Sequence, residues 1–270
     1  MRYVARQPRE GINISKTHPL AEASVLVLGL TGIFITLVVV GVFLVEVALF
    51  FIPADKEAQL FTDWLPDNLL TSASDDERAH DTQQLLDRLT SHWPEASYQF
   101  RLKIEDSETA NAMAFPGGLI VVTNALLDQV ASENELAFVL SHELGHFKNR
   151  DHLRALGRSA LLSVLFITIT GSDASGIGIQ TADLTLKSFN RRQETQADEF
   201  GLSLVQKEYG HVAEAWRLFE RWDKESDMAS WVTYLSTHPE SYHRISHLRG
   251  VALDNGWRDT GKLTHLSWTQ

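Results

Sequence analysis

The sequence has no cysteine among its 270 residues. This absence excludes disulfide bonds and thiolate metal sites, so any metal ion must be bound by His, Asp or Glu side chains. The chain also lacks an excess of basic residues. Its 24 Lys and Arg residues against 35 Asp and Glu residues give a formal net charge of −11. That charge argues against a nucleic-acid partner.

One long hydrophobic run is present near the N-terminus. Residues 25–45 read VLVLGLTGIFITLVVVGVFLV without a charged side chain, and a bilayer core needs about 20 apolar residues as helix. A cleavable signal peptide has a shorter apolar core that ends in small residues. A buried core helix is disfavoured because no polar face exists. We therefore predict an uncleaved transmembrane anchor over residues 20–52, which makes the lipid bilayer a partner of the chain.

The charges that flank this run indicate its orientation. Four basic residues precede it and a single one, among acidic residues, follows it closely: Arg2, Arg6, Arg9 and Lys16, then Lys56. Positively charged flanks remain on the cytoplasmic side of a membrane. We predict a single-pass protein with a cytoplasmic tail over residues 1–19 and all residues after the anchor in the periplasm or another extracytoplasmic space.

The part after the anchor divides into an acidic linker, residues 53–80, and a folded domain, residues 81–270. Alternating apolar residues over 98–104 predict a half-buried strand, and two short apolar runs around a Pro-Gly-Gly turn predict a β-hairpin. Helical spacing and end signals predict long helices from Ser132 and from about Thr181. The expected fold is mainly α with a small antiparallel β-sheet, an α+β class.

A second apolar run covers residues 160–170, ALLSVLFITIT. Eleven residues are too few to span a bilayer as a helix, which needs about 20. We interpret this run as a buried helix or strand. A segment that dips into the membrane is the alternative.

The motif HELGH at residues 142–146 carries the first chemical signal. His142 and His146 are spaced i, i+4, which places both imidazoles on one face of a helix, where they can converge on one tetrahedral ion. Glu143 flanks that ion and can take a proton from a water molecule bound to it. The alternative is two surface histidines on an amphipathic helix, which the spacing, the glutamate and the helix context together disfavour.

A catalytic zinc site needs a third protein ligand. Glu194 and Asp198 are spaced i, i+4 on the second long predicted helix. Glu194 can complete a His₂Glu site, and Asp198 can accept the free N–H of a ligand histidine. Ala197 and Gly201 lack bulk, which lets this helix approach the first one closely. A solvated acidic face is the alternative reading of these carboxylates.

Four ordered motifs resemble those of the HtpX and CAAX-prenyl-protease family of gluzincin zinc metallopeptidases. They are HELGH at 142–146, ETQAD at 194–198, NAMAFPGG at 111–118 and STHPESYHRI at 236–245, and the resemblance covers residues 75–250. It implies a zincin-type domain that binds one zinc ion per chain through His142, His146 and Glu194, with Glu143 as general base. It also implies endopeptidase activity on unfolded or membrane-associated polypeptides, a role in protein quality control.

The resemblance implies roles for further residues. His238 is expected beside the zinc ion, as a donor to the developing oxyanion or as an extra ligand in a resting state. Arg244 is expected in an ion pair that holds the helices, with an acidic partner that the sequence does not name. The strand residues at the cleft edge would pair with an extended substrate, backbone to backbone. These edge-strand residues are Asn111, Ala112, Met113 and Ala114.

The chain departs from the family in one respect. Many members carry several membrane spans, often with a hairpin between the two zinc-binding motifs, and here that interval holds only the run at 160–170. This favours extracytoplasmic protein quality control over processing of prenylated peptides. Two rivals stay open: a membrane-anchored, chaperone-like binding module with a latent or structural zinc site, and a metallo-aminopeptidase. The sequence does not indicate the oligomeric state.

Overall fold

A computed structural model describes residues 18–61, 77–171, 189–224, 234, 238 and 241–269. The chain divides into two units, Met1–Leu44 and Val45–Gln270. The helices are α1 (Pro19–Phe51), α2 (Ala54–Phe61), α3 (Glu77–Ser91), α4 (Asn124–Gln129), α5 (Glu133–Asn149), α6 (Asp151–Thr170), α7 (Arg191–Tyr209), α8 (Arg217–Lys224) and α9 (Ser241–Asp254). The strands are β1 (Arg101–Glu105), β2 (Ala112–Phe115) and β3 (Leu119–Thr123), and a 3₁₀ turn covers Ser267–Thr269.

Helix α1 carries the apolar run. It is 33 residues long and, within the described ranges, is the helix long and apolar enough to cross a bilayer. Its apolar side chains are exposed along nearly its whole length. Exposed apolar faces all round a helix suit lipid better than water, as expected for a membrane anchor.

The fold is mainly helical, as predicted, but the small sheet is mixed rather than antiparallel. The strand order is β1-β3-β2. The predicted hairpin is present, with β2 antiparallel to β3, whereas β1 pairs with β3 in parallel. Strand β3 (LIVVT) is buried at every position. A continuous apolar strand suits the centre of a sheet, so β3 lies between β1 and β2 and the pairing with β1 becomes parallel.

Helices α5 and α7 pack tightly against each other and form the centre of the domain. Helix α5 begins at the Ser132 N-cap, whose hydroxyl accepts a hydrogen bond from the Glu135 backbone N–H at 3.3 Å. A Cβ built on Gly145 of α5 would lie 2.5 Å from the Cα of Ala197 on α7, and one built on Gly201 would lie 2.9 Å from the His142 backbone nitrogen. These small residues allow the close approach that the sequence indicates.

Helix α7 starts later than the sequence predicts. The expected start near Thr181 lies outside the described residues, while residues 189–190 are not helical. Asn190 is the N-cap, and it forms a reciprocal capping box with Gln193. The helix ends at Tyr209 before Gly210, which has a φ of 71°, as predicted. The missed start reflects a local capping signal at Asn190 that competes with the longer helical periodicity.

The run at 160–170 is helical, but the expectation that it is buried is wrong. It forms the second half of α6. Leu162 is 54% exposed and Val164 is 60% exposed. Hydrophobicity alone did not distinguish a helix buried in the domain from one with an open apolar face.

Residues 53–80, treated above as an acidic linker, are partly helical, and one of their acidic residues is buried. Glu57 of α2 is fully buried. Its carboxylate accepts a hydrogen bond from the Tyr98 hydroxyl at 2.9 Å and from the Gly117 N–H at 3.0 Å, and lies 2.6 Å from His152 Nε2. Burial opposes ionisation, but the hydrogen bond and charge of His152 outweigh it and lower the pKa of Glu57.

Replacement of Glu57 is expected to destabilise the domain. Glu57→Ala leaves His152 and Tyr98 without their buried partner, which costs about 3 kcal/mol in unfolding free energy. Because the folded-state pKa of Glu57 is lowered, this contribution is present at neutral pH and is lost as the pH falls below the unfolded-state value. Denaturant unfolding of the full chain in detergent measures it. Glu46→Ala, which breaks a half-exposed pair with Arg154, is the control; equal effects would contradict the account.

Candidate metal centre

Four buried side chains from three parts of the chain converge. His142 and His146 come from α5, Glu194 comes from α7, and His238 precedes α9. One potential ligand atom from each lies within 4.8 Å of all the others. All four residues are buried. Burial of several such groups is costly unless they bind something in common, so the arrangement indicates a cation site.

The spacing of the donor atoms fits a small tetrahedral ion. The Nε2 atoms of His142 and His146 are 3.1 Å apart. The Glu194 carboxylate oxygens lie 3.5 Å from His142 Nε2 and 3.4 Å from His146 Nε2. A tetrahedral ion with bonds of about 2.1 Å separates its ligand atoms by about 3.4 Å. The two histidines and the glutamate therefore match the donor set that zinc requires.

The pocket also stabilises positive charge. Burial disfavours a charged imidazole, but Asp151 and Glu194 outweigh it and raise the pKa of His146 to about 10. Burial likewise opposes ionisation of Glu194, yet the charges of His238 and Arg244 hold its pKa well below the usual range. Glu194 is therefore an anion at neutral pH, as a metal ligand must be.

Asp198 and Arg244 hold the first histidine in place. Asp198 Oδ1 lies 2.8 Å from His142 Nδ1. Arg244 donates to both oxygens of Asp198, at 2.8 and 2.7 Å, and its Nη1 lies 3.0 Å from Glu194 Oε2. The acidic partners of Arg244, which the sequence did not name, are thus Asp198 and Glu194. A carboxylate on Nδ1 leaves Nε2 of His142 as the atom that can bind a metal.

Asp151 is a site residue that the sequence analysis missed. It is the first residue of α6, and its Oδ2 lies 3.1 Å from His146 Nδ1. Its other oxygen accepts a hydrogen bond from Gln193 Nε2 at 2.6 Å. The available signal was a carboxylate at the next helix start, five residues after His146. Each of the two converging histidines of α5 thus has its own carboxylate, Asp198 for His142 and Asp151 for His146.

Loss of the Asp151 charge is expected to weaken metal binding. Asp151→Asn keeps the size of the side chain but removes the charge that orients and polarises His146. Replacement of such outer partners costs about 10–100-fold in metal affinity. A competition titration with a chromogenic zinc chelator measures this change. Asp128→Asn, at an exposed ion pair with Arg78, is the matched control, and an Asp151→Asn affinity equal to that of the control would exclude this role.

Glu143 is buried beside the cluster and is not part of it. Neither of its carboxylate oxygens has a hydrogen-bond partner among the described residues. His238 Nε2 lies 3.6 Å from its Oε1. A buried carboxylate without a hydrogen bond is costly in a native protein, so its retention here indicates a functional role. Its lone pairs are available to accept a proton.

His238 lies among the ligand atoms. Its Nδ1 is 3.1 Å from His142 Nε2 and 3.1 Å from Glu194 Oε1. Its ring stacks on Tyr234, with ring centroids 4.5 Å apart. Its flanking residues in the STHP motif lie outside the described ranges. This position is compatible with both expected roles of His238, an extra metal ligand and an oxyanion donor.

The residues expected at the cleft edge lie in and next to β2. Ala112, Met113 and Ala114 belong to this strand, and β2 is at one edge of the sheet. Asn111 precedes it and pairs with Thr123, whose backbone N–H donates to the Asn111 carbonyl at 2.9 Å. Strand β2 also packs against α5. Strand β2 therefore contacts the helix that carries His142 and His146.

A buried helix with two histidines and a glutamate at HExxH spacing, completed by a glutamate from a second helix, defines the gluzincin class of metallopeptidases. Within this class the chain belongs to peptidase family M48, whose family model matches residues 75–252. This finding confirms the family assignment made from the four motifs. M48 metallopeptidases use zinc, the ion that the donor set fits.

Curated relatives agree with this assignment. The chain is 30% identical over 178 residues to mitochondrial metalloendopeptidase OMA1 of Schizosaccharomyces pombe, a match that covers 63% of this chain and 52% of that protein. It is 29% identical over 182 residues to the beta-barrel assembly-enhancing protease of Escherichia coli, covering 61% and 37%. The chain thus spans about half the length, or less, of these relatives.

Proposed function

We propose that this chain is a membrane-anchored zinc metalloendopeptidase that hydrolyses peptide bonds of unfolded or membrane-associated proteins in protein quality control. The observation that carries the proposal is the position of Glu143. Its buried carboxylate, free of hydrogen bonds within the described residues, lies beside four converging donors. A structural zinc site does not require such a group, whereas hydrolysis requires a base near the attacked bond.

The residues of the metal centre have distinct roles in hydrolysis. His142, His146 and Glu194 would hold one zinc ion, which when bound polarises a carbonyl and lowers the pKa of water. Glu143 accepts the proton of the attacking water and passes it to the leaving amine. Asp198 and Asp151 keep Nε2 of the two ligand histidines directed inward. His238, close to Glu143, donates a hydrogen bond to the developing oxyanion.

Backbone pairing supports the proposed substrate class. An edge strand binds an extended peptide through main-chain hydrogen bonds, which read its shape rather than its sequence. Residues 112–114 are suited to this because β2 lies at an edge of the sheet, and Asn111 directly precedes the strand. An unfolded chain offers extended segments, whereas a folded protein has few. The preferred substrates are therefore unfolded regions of polypeptides.

The flanking charges support a catalytic domain outside the cytoplasm. Basic residues are concentrated before the anchor and acidic ones after it. A reporter enzyme that is active only in the periplasm, fused after Gln270, is expected to be active. A fusion active only with a cytoplasmic reporter would reverse the proposed orientation.

Casein cleavage by the purified full chain in detergent tests the endopeptidase activity. Mass spectrometry of the products is expected to identify internal peptides, and a zinc chelator is expected to prevent their formation. Release of single N-terminal residues would instead indicate an aminopeptidase. Intact casein in the presence of a zinc-loaded protein would contradict the proposal.

His238 supports a second candidate, a latent or binding-only protein. With His238 as fourth ligand the donor set would be closed, as in structural zinc sites, which keep no open position. The His238→Ala variant distinguishes a latent protease from a binding-only protein. A rise in casein cleavage would identify a latent protease. No cleavage, together with suppression of casein aggregation by the wild-type chain, would identify a chaperone-like module.

A further inference from the structure

Helix α6 has an apolar end that the catalytic site does not use. Its first residues belong to the domain interior, since Asp151, His152 and Leu153 are buried. Its second half is the run at 160–170, where Leu162 and Val164 are more than half exposed. Open apolar surface at the end of a helix is costly in water and marks an interaction surface.

Contacts at the start of α6 establish its direction relative to the last two turns of α1. Arg150, which precedes α6, donates to the carbonyls of Leu49 and Ile52 at 2.8 and 2.7 Å. One turn on, Arg154 Nε lies 3.0 Å from both oxygens of Glu46.

The next contact along α6 is with a residue that lies earlier in α1. A Cβ built on Gly157 would lie 2.5 Å from Val45 Cγ1, so Gly157 permits close packing on α1. From Arg150 to Gly157, the contacts move back from Ile52, just after α1, to Val45 within it. Helix α6 therefore runs antiparallel to residues 45–52.

The position of the membrane surface follows from the same residues. The uncharged run ends at Val45, and 21 residues of helix span about 31 Å, close to the thickness of a bilayer core. Glu46 and Arg154, as an ion pair, suit the headgroup level. The thirteen residues that follow Gly157 in α6, residues 158–170, extend about 20 Å further. This length is too short to cross a bilayer core of about 30 Å, and a tilted helix of this length fits within one leaflet of about 15 Å.

Charged side chains at the base of α6 fit the headgroup level. A surface cavity there is lined by five basic residues and two acidic ones, in a chain whose net charge is −11. The basic residues are Lys148, Arg150, Arg154, Arg158 and Arg192. Basic side chains at this level favour lipid phosphates, while their apolar stems lie along the hydrocarbon boundary.

We propose that the second half of α6, residues 159–170, is embedded in one leaflet of the bilayer that α1 crosses, with lipid acyl chains covering Leu162 and Val164. Because a single residue, Arg150, separates α6 from α5, this second contact would hold the catalytic helix at the membrane surface. The proposal rests on the anchoring role of α1 and does not depend on peptidase activity. It gives a physical reason for a preference for membrane-associated substrates.

The absence of native cysteine makes a direct test available. Val164→Cys in the full chain is labelled with an environment-sensitive fluorophore and reconstituted into phosphatidylcholine vesicles, with and without a nitroxide on the lipid acyl chain. Leu162→Cys provides a second position if the first variant does not fold. Leu253→Cys, at an apolar residue of α9 that is 80% exposed, is the matched control.

The proposal predicts blue-shifted emission at position 164 and several-fold stronger quenching by the nitroxide lipid than at position 253. Equal, weak quenching at both positions would overturn it. A blue shift without quenching would also overturn it, since protein rather than lipid would then cover the helix. Casein cleavage is assayed on the same samples, so a failure of the proposed peptidase activity is distinguished from a failure of membrane insertion.

Discussion

Glu143→Gln is expected to abolish casein cleavage while zinc remains bound. Glutamine has the size of glutamate but cannot accept the proton of the attacking water, and loss of a general base costs about 10²–10⁴-fold in rate. Glu143 is not among the four converging donors, so metal content should not change. The measurement pairs kcat/KM for casein cleavage with zinc content determined by mass spectrometry.

The control for this variant is Glu199→Gln. Glu199 is exposed on α7 and pairs with His247 at 2.8 Å, outside the metal centre. The Glu199→Gln variant should retain both casein cleavage and bound zinc. If Glu143→Gln lost zinc together with activity, Glu143 would be a metal-binding residue rather than a base. If it kept full activity, the base would be another group.

Glu194→Ala is expected to lose zinc. Removal of the Glu194 carboxylate leaves only the two histidines of the proposed His₂Glu set. It also removes the negative charge that lies 3.0 Å from Arg244 Nη1. Because loss of a merely supporting residue already costs about 10–100-fold in metal affinity, loss of a direct ligand should cost more. Competition with a chromogenic chelator measures the affinity, and circular dichroism verifies that the helices are intact.

A matched pair of variants makes this prediction specific. Glu199→Ala, on the same helix, removes an exposed carboxylate and should leave the zinc affinity unchanged. Full zinc occupancy in Glu194→Ala would exclude Glu194 as a ligand. His238 would then be the third donor, since its Nδ1 lies 3.1 Å from His142 Nε2.

The structural features that depend on local sequence signals could be predicted. The start of α5 follows from a capping box within four residues, and the common face of His142 and His146 follows from a spacing of one helical turn. Glu194 required a motif 48 positions further on, so spacing alone left open a solvated acidic face. The four motifs in their known order identified the family because they constrain one another.

Features that depend on distant contacts could not be predicted. The burial of Glu57 depends on Tyr98, Gly117 and His152, which are far away in sequence. Its acidic neighbours in sequence suggested a linker. The parallel pairing of β1 depends on which strand takes the centre of the sheet, which alternation within a strand does not determine. Asp151 is close to His146 in sequence but belongs to the next helix, so helical spacing does not bring the two side chains together.

One zinc ion bound at His142, His146 and Glu194 is expected to be necessary and sufficient for peptide hydrolysis by this chain. A zinc titration of the metal-free full chain tests it most directly. Casein cleavage should be absent without zinc, rise in proportion to added zinc, and reach its maximum at one equivalent per chain. Cleavage that persists after removal of zinc, or that fails to return with it, would contradict the account.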